Sequence, residues 1–96
     1  MPAFLIVQIQ WHDPDIQKEY RARLGATLEK HGGRTLYAGD PLVLEGTWNP
    51  GRAVLLEFPT MDSLRQWYRS VEYAPLIELR KRGAHTNMIA VDAPAS

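Results

Sequence analysis

Leu44-Glu45-Gly46-Thr47-Trp48, a short turn, Ala53-Val54-Leu55-Leu56-Glu57-Phe58 and the run Met61 to Tyr68 follow one another without slack. The order reads as strand, turn, strand and helix. Both strands are apolar on both faces apart from one carboxylate each, Glu45 in the first and Glu57 in the second, and such strands need cover on two sides. A chain of 96 residues has helices enough to cover only one of them. The pattern therefore asks for a second copy of the chain, with a shared interior in which a ligand has room.

The rest of the chain fits around this unit. Phe4 to Trp11 starts as a nearly continuous apolar run and then alternates, as a central strand does. Asp13-Pro14 offers a capping oxygen and then a residue whose missing N–H is harmless at the first helical position. A helix follows, in which Ile16, Tyr20, Leu24 and Leu28 drift into an apolar stripe roughly 120° wide. Gly32-Gly33 ends it near His31. Arg34 to Ala38 has strand character, Gly39-Asp40-Pro41 interrupts it, and Leu42 to Trp48 is expected to resume it as a bent or bulged second strand. Asn49-Pro50-Gly51 is a turn and Arg52 to Phe58 a third strand. Thr60 caps a helix with Met61, Leu64, Trp67, Tyr68 and Val71 on one face. A further helical segment starts at Ala74 or Pro75, carries Leu76, Ile77 and Arg80, and ends near Gly83. His85 to Asp92 closes the chain as a strand, and residues 93–96 are expected to fray.

Strand, helix, strand, strand, helix, strand is the split βαβ plan: one α+β domain over residues 1–96, with a four-stranded antiparallel sheet and both helices on one face, the ferredoxin-like arrangement. Phe4 and Ile6 point away from Leu5, Val7 and Ile9, so one apolar set must face away from the helices. Burying ~1,000 Å² of apolar surface there would contribute roughly 25 kcal/mol before association costs. A homodimer through the open sheet face, closing a dimeric α/β barrel, is the expected assembly.

Composition removes several function classes. Eleven basic and eleven acidic residues cancel, which leaves no field to gather nucleic acid or an anionic membrane surface. No apolar run approaches the roughly 20 residues that cross a bilayer, and the N-terminus lacks an export signal, so a cytoplasmic location is expected. The absence of cysteine excludes disulfides and thiolate chemistry. His12, His31 and His85 lack metal-ligand spacing, and no glycine-rich phosphate loop precedes a helix, so neither a metal nor another cofactor is indicated.

His31-Gly32-Gly33-Arg34, Leu44-Glu45-Gly46-Thr47-Trp48, Glu57-Phe58-Pro59, Trp67-Tyr68-Arg69-Ser70, Glu72-Tyr73 and Arg80 together resemble the family called domain of unknown function 1330, over nearly the whole chain. The resemblance implies a ferredoxin-like protomer and a homodimer of the dimeric α/β-barrel group, which includes cofactor-free monooxygenases, small isomerases and stress-response proteins. It brings no established reaction. Ser70-Val71-Glu72-Tyr73-Ala74-Pro75 carries its proline later than relatives that resemble Ser-Pro-Glu-Tyr-Gln, which bears on the pose of Tyr73.

Glu45 and Glu57 are the candidate acid and base. If the turn pairs Trp48 with Arg52, the two carboxylates become diagonal neighbours roughly 7–8 Å apart on one face. Apolar surroundings would raise their pKa values toward neutrality. The alternative is that each pairs with an arginine such as Arg34, Arg52 or Arg80. Trp48, Trp67, Tyr68 and Tyr73 are candidates to line an aromatic pocket, or else are ordinary core and interface residues. Arg80 is a candidate to clamp a carboxylate, or to form a salt bridge to a strand glutamate. Two functions follow: a small-molecule-binding or cofactor-independent enzymatic homodimer, or a non-catalytic dimeric module without a pocket.

Overall fold

Local sequence signals set the helix boundaries. In the computed structural model, which describes residues 1–93, Asp13 Oδ1 accepts from the backbone N–H groups of Asp15 and Ile16 at 3.0 and 3.2 Å, and helix α1 runs over Pro14–Lys30. The helix ends in a Schellman motif: Gly33 N–H donates to Leu28 O, Gly32 N–H donates to Glu29 O, and Gly32 takes φ +75°. Thr60 accepts from Ser63 N–H and starts helix α2, Met61–Tyr68. Ser70 Oγ then donates to Trp67 O and accepts from Tyr73 N–H, which turns the chain into helix α3, Ala74–Gly83. Val71 was expected on the α2 face; it falls beyond the helix end, in this turn, and is exposed.

Four strands, β1 (Ala3–Trp11), β2 (Arg34–Gly39), β3 (Arg52–Phe58) and β4 (Ala84–Asp92), form an antiparallel sheet in the order β2-β3-β1-β4. The ferredoxin-like plan expected from the sequence is the one observed. β1 is central, and its period-two alternation sorts the layers: Ala3, Leu5, Val7 and Ile9 are buried beneath the helices, while Ile6 lies exposed on the opposite face. Register sets Leu55 and Ile89 on either side of Ile6, so an apolar band crosses three strands of the uncovered face. Between sheet and helices, Phe58, Leu64, Trp67, Tyr73 and Leu76 make the centre of the core.

The second strand departs from expectation. Leu42 to Trp48 forms no strand; residues 40–51 are a loop in which Leu42 and Leu44 are 83% and 88% exposed. The reason lies in pairing capacity. A strand has two edges, and β3 gives one to β1 and the other to β2, from Arg34↔Glu57 to Gly39↔Ala53. No edge of β3, the strand it was expected to pair with, remains for Leu42–Trp48, whatever its local strand preference. The irregularity in β2 sits between Thr35 and Tyr37 rather than at Gly39-Asp40-Pro41. Of the tail expected to fray, Ala93 donates its N–H to Pro2 O, and residues 94–96 lie outside the described residues.

Candidate functional site

The loop geometry separates the two carboxylates. Glu45 is exposed on the loop, and Glu57 sits on the uncovered sheet face opposite Phe4 and Arg34, with Arg34 Nε 2.7 Å from its Oε1. The expected diagonal pair does not form, because it required Leu42–Trp48 to lie along β3. For Glu57 the arginine alternative holds. Trp48 also lies apart from the aromatic cluster: it is on the uncovered face, where its Nε1 donates to Gln8 Oε1 at 3.2 Å. Gly46 takes φ +91° with open space around it, so its role there is to bend the loop.

Trp67, Tyr73 and Arg80 do come together, on the helix side of the sheet. A cavity of about 340 Å³ opens between α1 and the sheet. Its floor is the buried face of β1 and β3, with Leu5, Val7, Val54 and Leu56; Gln17, Arg21 and Leu24 of α1 form one wall, and Thr35, Ala38 and Arg52 line the side toward β2. The inner wall carries Trp67 and Tyr73, whose rings lie 4.0 Å apart, with Trp67 Nε1 donating to Thr27 Oγ1 at 3.0 Å. Tyr68 packs edge-on to Trp67 and tilted against Tyr73, but does not line this cavity; with Arg80 it borders a separate, more open recess beside β4.

Polar chemistry converges at the inner end. The hydroxyls of Tyr20 and Tyr73 are 2.7 Å apart in a buried hydrogen bond that joins α1 to the start of α3. Burial holds both phenols above their usual pKa, in Tyr20 with the neighbouring Tyr73 adding to the effect, while Arg80 beside them pulls the other way. They are neutral donors at physiological pH. Arg80, from the last turn of α3, is 5% exposed, and among the described residues no carboxylate lies within ion-pair distance of it. Its Nε is buried without a hydrogen-bond partner, as is Oγ1 of Thr86, which shares the recess beside β4. The expected alternative, a salt bridge from Arg80 to a strand glutamate, is absent among the described residues.

Sequence reasoning placed Tyr20 in the α1 stripe and gave it no further role. The available signal was its hydroxyl, the one polar group among Ile16, Tyr20, Leu24 and Leu28, since a buried phenol needs a partner. His31 meets the expectation of a helix C-terminus, and its Nε2 lies 2.7 Å from Glu72 Oε1, with Lys30 Nζ at 3.4 Å from the same oxygen. Among the described residues, no group of three His, Asp or Glu side chains is placed to hold a metal ion, and no helix is long and apolar enough to cross a membrane.

No curated protein matches the chain in sequence. Solved structures share its fold at low identity. A protein of unknown function from Rhodopseudomonas palustris superposes with a TM-score of 0.77 at 17% identity, covering 99% of this chain and 84% of that one. SnoaB, a cofactor-independent oxygenase from Streptomyces nogalater, has a TM-score of 0.68 at 12% identity, with 99% and 95% of the two chains covered. A dimeric ferredoxin-like protein of unknown function from Thermobifida fusca has a TM-score of 0.67 at 15% identity, with 97% and 92% covered. Residues 2–94 match the model of the domain of unknown function DUF1330, and the chain belongs to that family.

Proposed function

We propose that the protein is a homodimer in which each protomer binds a small, largely apolar molecule in the cavity between α1 and the sheet. The observation that carries this reading is the cavity's inner end: a guanidinium that is buried and, among the described residues, without a carboxylate partner stands beside two hydrogen-bonded phenols, at the edge of about 340 Å³ of open space. A purely structural core fills such space with side chains and pairs such a charge. Trp67, Tyr73 and Arg80 serve as ligand-binding residues together with Tyr20; Tyr68 supports Tyr73 from behind. Of the remaining candidates, Glu45 lies on the exposed loop and Trp48 on the uncovered face beside Gln8, and neither lines this cavity. Glu57 is engaged by Arg34.

The dimer reading rests on Ile6 between Leu55 and Ile89 on the uncovered face and on the exposed Leu42 and Leu44 of the loop. A dimeric protein with this fold supports it. Catalysis without a cofactor is compatible with the site, since neutral phenols and a fixed guanidinium can stabilise an oxyanion, and a structurally similar protein is a cofactor-independent oxygenase.

Protein-detected nuclear magnetic resonance with a fragment library tests the binding reading. Apolar fragments are expected to shift resonances of Leu24, Val54 and Tyr73, and the space-filling Ala38→Trp is expected to abolish those shifts. Fragments that perturb only the uncovered sheet face, or none that bind, would contradict it.

A further inference from the structure

We infer that the cavity takes a small organic acid, its anionic oxygens held at the inner end by the Arg80 guanidinium and the hydroxyls of Tyr20 and Tyr73, its apolar body lying on the sheet floor. The inference deepens the cavity reading above and depends on it. Charge bookkeeping of the lining carries it. The chain as a whole has equal numbers of acidic and basic residues, yet among the described residues the cavity is lined by Arg21, Arg52 and Arg80 and by no carboxylate. Among the described residues, none of these arginines has an acidic partner; the same is true of Arg69 and Arg82 outside the cavity, but of the five only Arg80 is buried.

The three cations divide by depth. Arg21 is exposed and Arg52 partly so, at the mouth, where they raise the local concentration of anions. Arg80 is buried at the inner end, where its charge is screened least by water. A buried guanidinium is costly unless something neutralises it, and its planar set of N–H donors matches the two oxygens of a carboxylate. Tyr20 and Tyr73 form one chain of hydroxyls: one O–H donates to the other oxygen, which leaves the second O–H free to donate to a bound anion. The remaining floor, Leu5, Val7, Val54 and Leu56, offers only apolar contact, so the acid's body must be apolar, and a planar ring suits the slot between helix and sheet.

Calorimetric titration with 2-naphthoate and its neutral analogue 2-naphthamide tests the inference, because the two share body and shape and differ in charge. The acid is expected to bind about tenfold or more tightly than the amide, as charge-assisted hydrogen bonds in a sheltered site provide. In Arg80→Met the ratio is expected to collapse to near unity while amide binding changes little. Should that variant not fold, Arg80→Lys, which keeps the charge and loses the fork, is expected to lower the ratio severalfold. Equal or tighter binding of the amide, or a ratio unchanged by either substitution, overturns the acid class and leaves the cavity reading standing. Binding of neither probe overturns both.

Discussion

Replacing Arg80 with methionine is expected to make the ligand-free protein more stable. Arg80 is nearly inaccessible, has no carboxylate partner among the described residues, and holds an Nε without a hydrogen bond. An unpaired buried donor costs ~1–3 kcal/mol. A buried charge without a counter-charge also carries a desolvation penalty of several kcal/mol, which an apolar chain of similar length does not. Against these stands the loss of the guanidinium's interaction with the Tyr20 and Tyr73 hydroxyls, at ~0.5–1.5 kcal/mol each. The balance is a gain of at least ~1 kcal/mol, and each 1 kcal/mol in a domain of this length raises Tm by about 4–8 °C. Urea unfolding of Arg80→Met and its parent, both at the same protomer concentration, reads the difference as a higher midpoint with an unchanged slope. A fall of ~1 kcal/mol or more would refute the reasoning, because it would mean that Arg80 is a paired structural group and that the core depends on its charge.

Three further outcomes follow from the same contacts. The Glu72 carboxyl is held below its usual pKa of 4.5, first by the hydrogen bond from His31 and also by its own backbone N–H, so its stabilisation is present above that value and is lost as pH falls through the lower folded-state value. Glu72→Gln should therefore be less stable than the parent near neutrality, and the two curves should converge in acid; a constant gap down to low pH would contradict this. Tyr20 and Tyr73 carry the opposite sign: with folded values raised by burial above the usual 10.0, their contribution is complete below that pH and is lost as pH rises beyond it. Ultraviolet difference absorbance should show phenolate forming at these residues only together with alkaline unfolding, and ionisation of both in the folded state would refute their burial. On the uncovered face, Ile6→Asp puts a charge between Leu55 and Ile89 and should shift sedimentation from dimer to monomer by at least about tenfold in dissociation constant; an unchanged dimer would place the interface elsewhere.

The parts of the fold that were legible are those whose cause is local. Asp13-Pro14, Thr60 and Gly32-Gly33 mark helix ends through hydrogen bonds within a few residues, and the Ile16, Tyr20, Leu24, Leu28 stripe marks a packed face through spacing alone. Leu42–Trp48 was misread because strand formation needs a free edge, and the edge of β3 was already filled by Arg34–Gly39, a competition invisible to local pattern. That error carried the Glu45–Glu57 pair and the placement of Trp48 with it. Trp67, Tyr73 and Arg80 are candidates from residue chemistry, yet what brings them together is tertiary: the hydroxyl of Tyr20 reaches Tyr73 across 53 positions of sequence, and that no carboxylate among the described residues pairs with Arg80 depends on how the chain folds.

The cavity's inner end as an anion site is tested most directly by a crystal structure of the protein soaked with 2-naphthoate. The account predicts density between α1 and the sheet, with the carboxylate within hydrogen-bonding distance of the Arg80 guanidinium and of a Tyr20 or Tyr73 hydroxyl. A carboxylate facing the mouth at Arg21 and Arg52, or density confined to the uncovered sheet face, would contradict it.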